Sequence, residues 1–241
     1  MKIKSYFKKF INIGLDNQTN RVVWLENALK KVPAGGRILD AGAGELQFKK
    51  FCTHLRYISQ DFAQYNGIGD GSGLQTNTWD NSRLDIVSDI TEIPEPNNSF
   101  DAIMCVEVFE HIPNPVAAIK EFSRLLKKDG LIIITAPFCS LTHFSPYHFC
   151  SGFNRYFYKK NLSDFGFDII EITPNGNYFD YIAQELRRIS SVSDQYSKKS
   201  NSFLLKIFVY SLLILLNKFS KNDRGSSELL CFGYHVIARK K

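Results

Sequence analysis

Along the chain, short continuous apolar runs alternate with stretches in which apolar residues recur every three or four positions. "RILDAG", "YISQD", "LDIVSDI", "FDAIMCVEV" and "LIIITAPF" are such runs, and each reads as a strand. Val22, Val23, Leu25, Leu29 and Val32 make a stripe that predicts a helix over 21–32, before Pro33. Glu45 to Leu55 fits a second helix. Val116, Ile119, Phe122 and Leu126 predict a third over Asn114–Lys128, ended by "KDG". "YFYKKNLSDFGFDIIEI" gives a helix and a sixth strand, and "CFGYHVIARK" a last, antiparallel strand. Residues 63–83, rich in Gly, Asn, Ser and Asp, read as an irregular loop. Strands alternating with helices predict an α/β fold with a parallel, doubly wound sheet.

In such sheets ligands bind at the carboxyl ends of the strands. Asp40, Asp61, Asp89 and Glu107 all fall at those ends, where chance would scatter them. "ILDAGAGELQF" adds two glycines, Gly42 and Gly44, at the turn out of the first strand. A dinucleotide site wants a third glycine three residues on, and that position is Gln47. Glu45 at the expected helix start would repel a pyrophosphate. An NAD-dependent dehydrogenase is therefore disfavoured, and a cationic ligand without phosphate fits better. S-adenosylmethionine is such a molecule.

Composition narrows the class without deciding it. The chain has 241 residues, 44% of them hydrophobic, enough for one good core with an appended piece. Its formal charge of +6 lies partly in a basic N-terminal segment, residues 1–20, and in "ARKK". No RNA-binding or zinc-finger pattern is present, so no nucleic acid is expected. Five scattered cysteines, never in C-x-x-C, speak against a disulfide framework and for a reducing compartment. The N-terminus lacks a continuous apolar core, so no secretory signal is expected and the expected location is cytoplasmic.

"ILDAGAGE", "SQDF", "DIVSDITEIPEPNNSFDAIMCVEVFEHIPNP" and "EFSRLLKKDGLIIITAP" resemble, in order and spacing, the motifs of class I S-adenosylmethionine-dependent methyltransferases. The nearest branch includes the ubiquinone and menaquinone enzymes. The resemblance implies a Rossmann-like, mostly parallel seven-stranded sheet with an antiparallel last strand, in a single domain over 21–241. Position by position, it implies that Asp40, Ala41, Gly42 and Gly44 hold the methionine end. Asp61 would serve the ribose, Asp89 and Ile90 the adenine, and Val106 and Glu107 the ammonium, with Gln60 a further cofactor-binding position. Methylation on oxygen of a small-molecule or carrier-linked glycan is the expected activity. A quinone or lipid acceptor, and a catalytically silent binding module, are the alternatives.

An oxygen nucleophile needs its proton removed, which points to a histidine near the methyl group. His111, in "EVFEHIPNP", is one catalytic candidate and His148 the other. Glu107, Glu110 and His111 also resemble the divalent-metal motif of ubiquinone-pathway O-methyltransferases, although no metal is expected. "THFSPYHFCSGFNRYFY", 142–158, interleaves aromatics with polar groups and reads as a lid over the acceptor, within a lid-like segment 140–160. His143, Tyr147 and Arg155 are its acceptor-binding candidates. An apolar helical insertion is expected over 196–228. Its core, "FLLKIFVYSLLILLNKF" at 203–219, is too short an apolar run to span a bilayer. A buried or lid helix is the first reading. Peripheral contact with the inner membrane face, or an oligomer contact, is the second.

Overall fold

A computed structural model describes residues 12–197 and 203–241; most of the expected basic N-terminal segment lies outside them. Strands β1 (Arg37–Ala41), β2 (Arg56–Asp61), β3 (Ile86–Val87), β4 (Phe100–Val106), β5 (Leu126–Pro137), β6 (Phe167–Asn175) and β7 (Gly233–Lys240) form one sheet in the order β3-β2-β1-β4-β5-β7-β6. β1 to β5 pair in parallel, and β7 runs antiparallel to β5, as expected. β4 is buried along nearly its whole length, which is why it reads as a continuous apolar run.

The chain divides into two compact units. The larger, Arg21–Thr173 with Gly233–Lys241, holds the sheet and the candidate site. Helix α1 (Asn17–Leu29) lays Leu25, Ala28 and Leu29 on a core shared with Ile38, Ala102, Met104 and Ile133. Helix α2 (Pro115–Leu125) is capped by the Asn114 side chain, which accepts from the Ala117 amide. Helix α3 (Arg155–Asp164) is capped likewise by Asn154, so the last residues of the lid-like segment are helical. The second unit comprises the chain up to Asn20 and Pro174–Phe232. It contains helices α4 (Tyr178–Tyr196) and α5 (Phe203–Lys221) around Ile13, Ala183 and Leu213.

Three expectations are corrected. The helix over Glu45–Leu55 is a chain of turns with one 3₁₀ turn at Lys49–Phe51. Gly44 and Leu46 take left-handed φ of 49° and 63°, which a helix cannot continue through. The segment still faces the core: Phe48 and Cys52 are buried in it, and Phe51 and Leu55 pack against it. The third strand shrinks to two residues at the sheet edge, because Asp85 turns to accept from the Ser59 amide and hydroxyl. The helix expected to reach Lys128 stops at Leu125, and "KDG" belongs to β5.

Candidate active site

The ends of β1 and β2 build a narrow backbone cradle. Gly42 and Ala43 donate their amides to the Gln60 carbonyl at 2.8 and 2.9 Å. Asp61 accepts from the Gly44 amide on one oxygen (3.0 Å) and from the Ala63 amide on the other (2.9 Å). Gly42 has φ +80°, and a Cβ there would lie 2.5 Å from Val108. Only glycine fits this turn. Asp40, buried inside β1, accepts from the Tyr57 hydroxyl at 2.6 Å, and burial pushes its carboxyl up to about 7. Asp61 is shifted the same way by burial, against the pull of its amide donors. Asp61 also raises Asp40 by its like charge, so a cation placed beside the pair would stabilise both charged forms. The buried Gln60 Oε1, which lacks a protein hydrogen-bond partner, is a further polar group awaiting a donor.

These features fit S-adenosylmethionine at the strand ends. Asp40 near the end of β1 and Asp61 at the end of β2 stand where the resemblance expects the methionine end and the ribose. Asp89 accepts from the Thr91 amide and hydroxyl, both at 2.7 Å, which orders the turn after β3, and Ile90 beside it is buried. Glu107, just past Val106 at φ +56°, already meets Arg21 at 2.8 Å and accepts from Thr135 at 2.8 Å. Its charge is thus matched within the protein before any ammonium arrives.

Residues 63–83 and 140–155 close over this edge as one cover. A Cβ on Gly44 would lie 2.5 Å from Trp79 Cζ2, so the indole sits directly on the glycine turn. Trp79 packs edge-on to Tyr65 and Phe144, and Tyr65 stacks on Phe144 with centroids 4.4 Å apart. Phe144 in turn stacks on His111 at 5.1 Å. Polar links join the two segments: Leu74 bridges His143, and the Ser145 hydroxyl donates to Asp70 at 3.0 Å.

Under the cover, Glu110, His111 and His143 bring ligand atoms within 4.8 Å of one another. His111 Nδ1 donates to the Tyr147 carbonyl at 2.5 Å, which turns Nε2 toward Glu110 Oε1, 3.7 Å away. His143 Nδ1 donates to the Leu141 carbonyl, with Nε2 3.9 Å from the same oxygen. Both imidazoles thus turn their Nε2 atoms toward the same Glu110 oxygen. Burial and the neighbouring His143 bring His111 down to about 3, while burial and Glu107 push Glu110 well above the carboxylate range. Glu110 is 1% exposed, and its Oε2 has no protein partner.

Of the residues marked in the sequence, His111, His143 and Tyr147 meet here, with His148 close by at 4.9 Å from the His143 ring. His148 Nε2 pairs with the Ser140 hydroxyl at 3.1 Å, and burial lowers its pKa. Arg155 opens α3 with its guanidinium over the Tyr156 ring. Glu107 does not join the motif it was grouped with; His143 takes the third place. Sequence reasoning missed Tyr65 and Trp79. Their signal was two aromatics in an otherwise polar, glycine-rich loop.

Residues 39–134 match the family described as "Methyltransferase domain". The ubiquinone biosynthesis O-methyltransferase of Xanthomonas oryzae pv. oryzae is 31% identical over 105 residues, which are 42% of this chain and 43% of that protein. The chain thus aligns with less than half the length of this curated relative. A SAM-dependent methyltransferase from Archaeoglobus fulgidus superposes with a TM-score of 0.56, at 16% identity, over 91% of this chain and 92% of that one. A cyclase superposes at 0.53 and 16% identity, over 90% and 79%. At such identities the likeness establishes the fold alone.

Proposed function

We propose that the chain transfers a methyl group from S-adenosylmethionine to a hydroxyl oxygen of a small-molecule or carrier-linked glycan, a reading supported by the match of residues 39–134 to the family described as "Methyltransferase domain". The observation that carries the oxygen acceptor is the neutral His111, held under the cover by the Tyr147 carbonyl with its Nε2 beside Glu110. The relative named as an O-methyltransferase supports the same atom type.

The bound sulfonium supplies an already activated methyl carbon, so the protein's task is alignment and exclusion of water. Asp61 and the glycine turn orient the donor, and Tyr65, Trp79 and Phe144 wall the site from solvent. As the acceptor oxygen bonds to the methyl carbon, the carbon–sulfur bond breaks and the oxygen's proton becomes strongly acidic. His111 Nε2 takes that proton. A base lowered to about 3 is weak, but it is always unprotonated at neutral pH and suffices for so acidic a proton.

A second reading of the same cluster has its own observation, the unpartnered Glu110 oxygen. Glu110, His111 and His143 offer one carboxyl group and two imidazoles, a donor set suited to a divalent ion that would acidify the acceptor hydroxyl.

The test is methyl transfer from labelled S-adenosylmethionine to panels of hydroxylated glycans and of phenolic quinone precursors. Label in glycans that His111→Ala abolishes supports the proposal, whereas label only in phenols moves the acceptor to the quinone class. Activity unchanged by excess chelator would remove the metal reading.

A further inference from the structure

Helix α5 is apolar on the side it turns away from its own unit. Its inner side is accounted for: Leu213 is buried, and Val209 and Leu216 pack on the cluster of Ile13 and Ala183. Its outer side should by the usual rule be polar. Instead Leu204, Phe208, Leu215 and Phe219 follow one another at helical spacing along an exposed row, with Phe208 67% and Leu204 63% exposed. Ile207 and Ile214 flank the row on one side and Leu212 on the other, all exposed. At 1.5 Å per residue the row runs about 22 Å, most of the length of the helix. Single exposed apolar residues need no explanation, but seven on one face of one helix do.

Charge selects the occupant. The sequence of α5, "FLLKIFVYSLLILLNKFSK", contains three lysines and no acid. Lys218 lies by helical spacing within the exposed face, between the Ile207–Ile214 side and the central row, and Lys221 lies at its margin. A second copy docking through this face would bury Lys218 with no acid on α5 to receive it, an expensive arrangement. At a lipid surface the same lysine stems lie along the apolar boundary and their ammonium groups reach the phosphates. Among the described residues no helix is long and apolar enough to cross a membrane. We propose that α5 lies flat on an anionic bilayer, its Leu204–Phe219 face in the acyl boundary and Lys218 and Lys221 at the headgroups.

The inference stands apart from the methyltransferase reading, and its test reads no activity. The full chain is floated with vesicles of phosphatidylcholine alone and with vesicles containing phosphatidylglycerol. The expected result is flotation with the anionic vesicles. Phe208→Asp with Leu215→Asp should lower partitioning about tenfold or more by removing two apolar anchors. Both positions are exposed, so circular dichroism should report an unchanged fold. Lys218→Glu with Lys221→Glu should abolish the preference for anionic lipid. Equal binding by wild type and Phe208→Asp/Leu215→Asp would overturn the proposal. So would a wild-type dimer in light scattering that ignores vesicles and becomes monomeric in that variant, which would assign the face to a second copy.

Discussion

Asp40 carries its charge state as a function of its burial. Its folded pKa, about 7 against a reference of 3.8, lies above the unfolded one. The folded state therefore holds a proton that the unfolded chain releases, and stability should fall as pH rises from about 4 to about 7, then level off. Denaturant unfolding across that range should show the slope in the wild type and not in Asp40→Asn. A slope of the opposite sign would contradict the placement of Asp40 in the core. A cation docked against the acid should lower its pKa, so donor binding near pH 6 should release a proton, read as a buffer-dependent heat. At His111 the expectation concerns rate. With its pKa near 3, the wild-type turnover should show no histidine step between pH 6 and 8, and His111→Ala should lose turnover at nearly unchanged donor affinity. Loss of donor affinity instead would place His111 among the ordering residues of the cover.

The cover is where local structure and site meet most tightly. Gly44 holds φ +49° under the Trp79 ring, so Gly44→Ala should destabilise through two separable costs, backbone strain and the clash with the indole. Each is of the order of 1–3 kcal/mol. Trp79→Ala in the same chain should recover the clash and leave the strain, so the double-mutant cycle should give a favourable coupling of about 1 kcal/mol or more. Strict additivity would mean that the indole does not rest on the turn. The cover also shows what periodicity can and cannot reveal. Phe48, Phe51, Cys52 and Leu55 face the core at helix-like intervals, but two left-handed residues make the segment turns rather than the expected helix. The pairing of 63–83 with 140–155 rests on contacts between residues some 75 apart, such as Ser145 with Asp70, which no local pattern encodes.

For the molecule as a whole, the parallel strands β1 to β5 and the acids at the ends of the first four were legible because buried strands and an edge site leave marks in consecutive residues. The separate unit containing α4 and α5 was less so. α5 reads as uniformly apolar, which suggested a buried helix, yet among its described side chains only Leu213 is buried. Hydropathy records what a side chain avoids and not whether the fold covers it. The site's donor is the point on which the rest depends: if S-adenosylmethionine is not bound at the ends of β1 and β2, neither the oxygen acceptor nor the role of His111 follows. Calorimetric titration of S-adenosylmethionine into the wild-type chain and into Asp61→Ala tests this directly. The account predicts saturable one-to-one binding that weakens by about tenfold or more in Asp61→Ala, as loss of one charge-assisted hydrogen bond of roughly 1.5–3 kcal/mol requires. Equal affinity in the two proteins, or no binding by the wild type, would contradict it.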